Sequence, residues 1–344
     1  MIYDKIKIYV TARIAQILEK DAEAFEFFKK DGRTPNKNAM LTRLVVNYFD
    51  EFREKQNATY NYLEKTIGAK TRISDDALKI LCYEISEELN KQNAAPDKEK
   101  FDKLVSLKPT KETQAIVDYI EEYELEGYSL SEYFRNMFAS YASLPQDKRE
   151  EILFKKQKET IEQAIKEGKK LFLSVDHTKK NALEVSPYAL TFTKDEIHVY
   201  LLAFDGKSCI PLRLSRITSA VLLPQAVSFE DIHVSVFEKM LRYGPQFLYR
   251  PYEEEIKVEL TEKGIQRFKK FYVHRPDPTS IDGNIYTFHC AQSQVVAYFE
   301  RFGSEAYILS PYRAQKEVKN FFRRGYYSYK DRMDVQRTSK REEE

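Results

Sequence analysis

The chain has 344 residues, and its 56 Lys and Arg nearly cancel its 54 Asp and Glu, leaving a formal net charge of +2. At roughly 150 residues per domain, that length argues for two or three domains, and a hydrophobic share of 42% with 24 Tyr and 22 Phe excludes wholesale disorder. The longest apolar runs fall far short of the ~20 residues that cross a bilayer, so no membrane span or signal peptide is expected and a cytoplasmic protein is. Lys5 to Val10 alternate polar and apolar side chains, the period of a half-buried strand. Thr11 suits a helix cap, and Ile14, Ile17, Leu18, Phe25 and Phe28 follow at helical spacing. Asp31 to Asn36 break that helix, and a second begins near Lys37 and carries Leu41, Leu44, Tyr48 and Phe52.

Residues 57–100 read as helical around Leu78, Leu81, Ile85 and Leu89, with a polar linker from Asn93 to Pro96. The opening order then recurs. Leu104 to Lys108 form a short strand, Pro109-Thr110 opens a helix with Ile116, Val117 and Ile120, and Gly127-Tyr128-Ser129 precedes another from Ser131 to Phe138. A lone strand with two helices leaves backbone groups unpaired, so two such copies are expected to meet in a two-stranded ribbon, within one chain or between two. The same pattern also fits plain helices of an α-helical domain. The stretch from Gly127 to Arg135 resembles the opening of the second helix in the ribbon-helix-helix family.

A charged helix from about Asp147 to Glu167 ends at Gly168. Five short strands follow: Leu171 to Val175, Leu183 to Val185, Ile197 to Phe204, Ser208 to Leu214 and Thr218 to Leu223. They read as a small barrel, because closing a sheet removes its edges. From Ile256 onward strand, helix, strand, helix and strand alternate, and a last helix runs from Tyr312 to about Arg324, as in a small α/β sandwich. The charged residues after Lys330 read as a frayed tail.

Three cysteines, spread far apart, argue against a disulfide framework, and five histidines show no metal-ligand spacing. With ten glycines there is no G-x-G-x-x-G or Walker loop. No cofactor, metal site or catalytic residue is expected, and the chain does not read as an enzyme.

Three stretches carry a further resemblance: Val185-Ser186-Pro187-Tyr188, His198-Val199-Tyr200-Leu201 and Pro211-Leu212-Arg213-Leu214-Ser215-Arg216-Ile217. In order and spacing they resemble the WYL domain, with Val199 where the family has Trp. Phe302-Gly303-Ser304 through Pro311 resembles the extension that follows many WYL domains. The resemblance implies an α+β multidomain chain with a helical ribbon-helix-helix-like N-terminal region, an Sm-like five-stranded WYL barrel and a small α/β extension. The boundaries expected are 1–56 for the first ribbon copy, 57–100 for a helical linker, 101–168 for the second copy and a connecting helix, 169–230 for the WYL domain, 250–330 for a dimerising extension and 331–344 for the tail. This arrangement is similar to the WYL accessory proteins encoded beside type VI-D CRISPR–Cas systems, which bind single-stranded RNA and boost an RNA-guided ribonuclease. The alternative is a ligand-sensing bacterial transcriptional regulator with its ribbon on operator DNA.

Three surfaces are candidates. On the barrel, Tyr188, Tyr200, Arg213, Arg216 and His177 would combine stacking rings with guanidinium forks for phosphate. Arg213 and Arg216, three apart, would face opposite sides of a regular strand, so a bend is required for both to serve; each could instead pair with Asp176 or Asp205. On the ribbon, Lys5, Lys7 and Tyr9 with Ser106 and Lys108 would face outward, toward a DNA major groove or toward single-stranded RNA. On the last helix, Lys316, Lys319, Arg323, Arg324 and Lys330 interleave with Phe321, Phe322, Tyr326, Tyr327 and Tyr329, a stripe that favours a homodimer contact.

Overall fold

The computed structural model describes residues 4–95, 99–125, 129–176, 182–192, 198–245 and 254–342, with side chains of the last helix described to Met333. The fold is mixed α+β. Strand β1 (Ile6–Val10) buries Ile6, Ile8 and Val10 and exposes Lys7 and Tyr9, as the alternation requires, and Lys5 just before it is exposed too. It pairs antiparallel with β2 (Lys103–Leu107) of the same chain, in the register Lys7 opposite Ser106 and Tyr9 opposite Leu104. The two copies therefore meet intramolecularly.

Each strand is followed by two helices with capped starts: Thr11 and Thr110 stand where the sequence expects a helix to open, whereas Asn36 and Ser129, read there as ending the preceding helices, turn out to cap the following ones. Thr11 accepts the Ile14 amide at the head of α1 (Ala12–Ala24). Asn36 caps α2 (Lys37–Gly68), which continues well past the expected end near Phe52 because neither Gly nor Pro interrupts it before Gly68. Helix α3 (Asp75–Ala94) completes the insert between the copies. Thr110 and Thr113 form a capping box on α4 (Lys111–Tyr123), and Ser129 and Glu132 another on α5 (Leu130–Ala142). The expected single helix after Pro145 is two, α6 (Gln146–Leu153) and α7 (Lys155–Glu167), broken where Phe154 leaves helical geometry.

Five antiparallel strands follow: β3 (Lys169–Val175), β4 (Ala182–Phe192), β5 (Val199–Phe204), β6 (Cys209–Arg213) and β7 (Ile217–Ala226). The strand count matches the expectation, but the closed barrel does not form: the order is β6-β5-β4-β3-β7, and among the described residues the two edges are not hydrogen-bonded to each other. Only a three-residue 3-10 turn, Leu214–Arg216, joins those edges, so the sheet is sharply curled. Its edges are protected by helices instead of by closure, α7 along β7 and α8 (Asp231–Tyr243) against β6. β4 is much longer than the expected Leu183 to Val185, because Pro187 sits beside a bulge that the ladder tolerates.

One continuous core runs from Ile8 of the ribbon through Phe52, Phe134 and Leu153 to Leu173 and Leu201 of the sheet. The C-terminal part has its own core, built on a four-stranded antiparallel sheet of order β11-β8-β10-β9. Its strands are β8 (Ile256–Leu260), β9 (Ser280–Asp282), β10 (Ile285–Phe288) and β11 (Ala306–Ser310), and its helices α9 (Glu262–Lys270) and α10 (Gln292–Phe299). Helix α11 (Tyr312–Glu342) continues beyond Lys330 as far as Glu342, past the expected end near Arg324. No described helix is long and apolar enough to cross a membrane.

Candidate nucleic-acid interface

The turn between β6 and β7 decides the geometry of the sheet surface. As helical geometry carries Leu214 inward to full burial, Arg213 and Arg216 are turned toward one side, where both reach the carboxylate of Glu26. Arg216 donates from Nε to both oxygens at 3.1 Å and from Nη2 to Oε1 at 2.7 Å, and Arg213 Nη1 lies 3.4 Å from Oε1. The opposed orientation of a regular strand is thus overturned by the turn, and the arginines pair with neither Asp176 nor Asp205. Asp205 instead accepts the amides of Lys207 and Ser208 in its own turn.

A second carboxylate holds this turn from beneath. Glu150 of α6 is fully buried and accepts the amide of Val199 at 2.6 Å and that of Ser215 at 3.2 Å. Burial pushes its carboxyl up to about 8, against the pull of those two amides and of Arg213. Beside it, His198 is buried, and loss of hydration together with the positive charge of Arg213 lowers its imidazole to about 4. Its ring meets Phe25 and Tyr200 edge-on, each at 6.4 Å between centroids.

The two sheet tyrosines do not offer free faces. Tyr200, opposite Arg213 in the ladder, is 4% exposed and packs inward. Tyr188 stacks on Phe237 of α8 at 4.4 Å and 11°, with Phe229 edge-on at 5.5 Å. The stacking expected of both is occupied by the protein's own side chains. His177 lies outside the described residues.

The ribbon surface has the expected composition. Lys5, Lys7, Tyr9 and Lys108 are exposed and Ser106 is half-buried. Asn38, near the start of α2, clamps the backbone of Lys108 by accepting its amide at 2.7 Å and donating to its carbonyl at 3.2 Å. Arg135 of α5 donates to the Tyr9 carbonyl at 2.7 Å while its guanidinium lies 4.3 Å from the Phe101 ring centroid. Leu104, 51% exposed and paired with Tyr9, adds an apolar element that the sequence reading left out.

The first turns of α11 pack on the C-terminal core through Ala314 and Val318. From Phe321 to Met333 every side chain is exposed, including Phe321, Phe322, Tyr326, Tyr327 and Tyr329. No group of three or more His, Cys, Asp or Glu suited to a metal ion occurs among the described residues.

A solved structure described as that of a CRISPR Cas-related protein has this fold along nearly its whole length: TM-score 0.67, 19% identity, covering 96% of this chain and 95% of that one. The proteasome accessory factor B/C of Arthrobacter aurescens overlaps partially, with 18% identity over 64% of this chain and 36% of its own, at a TM-score of 0.24. No family model matches the sequence, and no curated protein does.

Proposed function

We propose that this chain is a non-catalytic nucleic-acid-binding accessory protein of a CRISPR system, which binds single-stranded RNA and enhances a type VI-D RNA-guided ribonuclease. The observation that carries the nucleic-acid part is the convergence of Arg213 and Arg216 on one side of the sheet edge, where two guanidiniums meet a single carboxylate and an anion with spare acceptors is matched. The CRISPR part is supported by the whole-length fold likeness to a CRISPR Cas-related protein. In this reading the curled five-stranded sheet is an Sm-like WYL domain, and the ribbon with its flanking helices is a ribbon-helix-helix pair fused in one chain. The C-terminal unit dimerises through the exposed stripe of α11, and the protein works in the cytoplasm.

A second reading, a regulator on operator DNA, is favoured by one observation: a two-stranded ribbon with Lys5 and Lys7 outward has the dimensions of a major-groove reader. Competition of labelled single-stranded RNA against duplex DNA separates the two. The accessory reading expects duplex DNA to compete poorly and the Lys5→Ala/Lys7→Ala variant to keep most of its RNA affinity. Preferential duplex binding that this double variant abolishes would replace it with the regulator.

A further inference from the structure

In a chain whose charges nearly cancel, the stretch from Lys263 to Pro276 holds five Lys and Arg and no Asp or Glu. It spans most of α9 and the turn that follows. Phe268 points into the C-terminal core, whereas Lys269 and Lys270 are exposed at the end of the helix and Phe271, Tyr272 and Val273 continue the exposed run. Tyr272 is the most open of them, at 66%.

The turn is held from within. Tyr298 of α10 donates its hydroxyl to the Phe271 carbonyl at 2.7 Å, Gln294 donates to the His274 carbonyl at 3.4 Å, and the Arg275 amide closes on the Tyr272 carbonyl at 3.0 Å. Arg275 Nη1 donates to the Phe268 carbonyl at 3.3 Å, and its guanidinium lies 4.4 Å from the Tyr272 ring centroid. The ring is therefore backed by a cation while most of its surface stays open to solvent. Arg301 lies 5.1 Å from the Tyr298 ring centroid, and both it and Arg275 act on the Tyr298 hydroxyl, so the two guanidiniums belong to one cluster.

The acids nearby are engaged elsewhere or lie at the margins. Glu305 acts on Lys263 and Arg267, nearer the start of α9, and Glu300 faces Arg324 of α11. Glu262 precedes the stretch and Asp277 follows it. His274 has partners of its own. Lys269, Lys270, Arg275 and Arg301 form no ion pair among the described residues.

We propose that this turn of the C-terminal unit is a second binding site for single-stranded RNA, with Lys269 and Lys270 on backbone phosphates and Tyr272 as the platform on which an unpaired base stacks. The inference rests on the RNA-binding reading above. A single strand repeats a charge and a base at every nucleotide, and cations set beside an open ring match that repeat. A duplex keeps its bases stacked inside, out of reach of Tyr272, so the platform selects single strands. Every base has a face to stack, so the site tolerates any sequence. Because the turn is already fixed, little ordering opposes binding.

Fluorescence anisotropy of a labelled single-stranded RNA across a salt series tests the two elements separately. Lys269→Ala/Lys270→Ala is expected to weaken binding about 10-fold and to lower the slope of log affinity against log salt by about 1.4, at about 0.7 for each phosphate. Tyr272→Ala is expected to weaken binding about 10-fold with the slope unchanged, and Tyr272→Phe to restore it, because the ring and not the hydroxyl stacks. None of these side chains belongs to the C-terminal core, and circular dichroism checks that the variants fold. Cross-linking of 4-thiouridine RNA to wild type, mapped by mass spectrometry, should label the peptide that contains Tyr272 and decides the case if a variant folds poorly. Wild-type affinity in both alanine variants, or no label on that peptide, with Arg213→Ala still weakening binding, overturns this site and leaves the RNA reading standing. Loss with the lysine pair while Tyr272→Ala binds as wild type reduces the stretch to a general charge effect and overturns it as well. Failure of wild type to bind single-stranded RNA overturns both.

Discussion

Arg149 grips Asp21 through two parallel hydrogen bonds, Nε to Oδ2 at 2.7 Å and Nη2 to Oδ1 at 2.9 Å, across 128 positions of sequence. Tyr141 donates its hydroxyl to the same carboxylate at 2.8 Å, and Asp21 is 1% exposed. This triad fixes α1 to α5 and α6, and hence fixes the base on which Glu26 stands.

Removing the cation alone leaves a buried acid without its partner. Arg149→Ala is expected to cost about 3–5 kcal/mol, measured by urea unfolding. Tyr141→Phe, which loses one hydrogen bond to a charged group, should cost about 1.5–3 kcal/mol. Asp21→Asn combined with Arg149→Met should recover much of the first loss, because no buried charge is then stranded. A double variant no better than Arg149→Ala alone would remove stranded charge as the cause.

The pH dependence of stability follows from Glu150 and His198 with opposite signs. The Glu150 carboxyl is raised from 4.5 to about 8 in the folded chain, so its contribution is full below 4.5 and is lost as pH rises through about 8. The His198 imidazole is lowered from 6.5 to about 4, so its contribution is present above 6.5 and is lost as pH falls through about 4. The two slopes oppose each other between pH 4.5 and 6.5, and only that of Glu150 remains from 6.5 to 8. Wild type should lose stability across that upper window, and Glu150→Gln should flatten the profile there whatever its absolute level. Chemical denaturation at pH 6.5, 7.25 and 8 reads the slope; an equal slope in both proteins would acquit Glu150.

On the proposed interface, Arg213→Ala should weaken single-stranded RNA binding about 5-fold, about 1 kcal/mol. The slope of log affinity against log salt should fall by about 0.7 for the one phosphate lost. Filter binding across a salt series provides both numbers. A slope that does not change, with affinity intact, places the phosphates elsewhere.

The exposed half of α11 bears on assembly. Phe321→Ser with Phe322→Ser is expected to convert a dimer to a monomer in sedimentation velocity while leaving the thermal unfolding of the chain within a few degrees, because neither side chain belongs to the C-terminal core. Dimers that persist at the same concentration would move the interface off this stripe.

Much of the fold could be read from short-range signals, and much of the interface could not. The alternation from Lys5 to Val10 sets the two faces of β1, and Thr11 and Thr110 mark helix starts through bonds three residues long, whereas α5 starts at Leu130, just before the expected Ser131, because Ser129 caps it. The apolar pattern of α2 fades after Phe52 although no breaker stops the helix before Gly68, and α8 is signalled only by Val236, Phe237 and Met240 on one of its faces. In the sequence Tyr188 reads as an open ring, because its cover, Phe237, comes from α8, about fifty residues further on. Glu26 carries no local signal: its role arises only when α1 and the turn at Leu214–Arg216 are brought together by a core shared across both. The arginines themselves were found, but not the turn that aims them.

The pairing of β1 with β2 inside one chain has a further consequence. A ribbon built from two identical subunits shows the same side chains twice and comes apart on dilution. Here the two strands are covalently joined, so the ribbon persists at any concentration, and each strand has been free to change alone. One presents Lys5, Lys7 and Tyr9; the other presents Leu104, Ser106 and Lys108. The face therefore has a direction, and a strand of nucleic acid laid across it meets different chemistry according to which end arrives first.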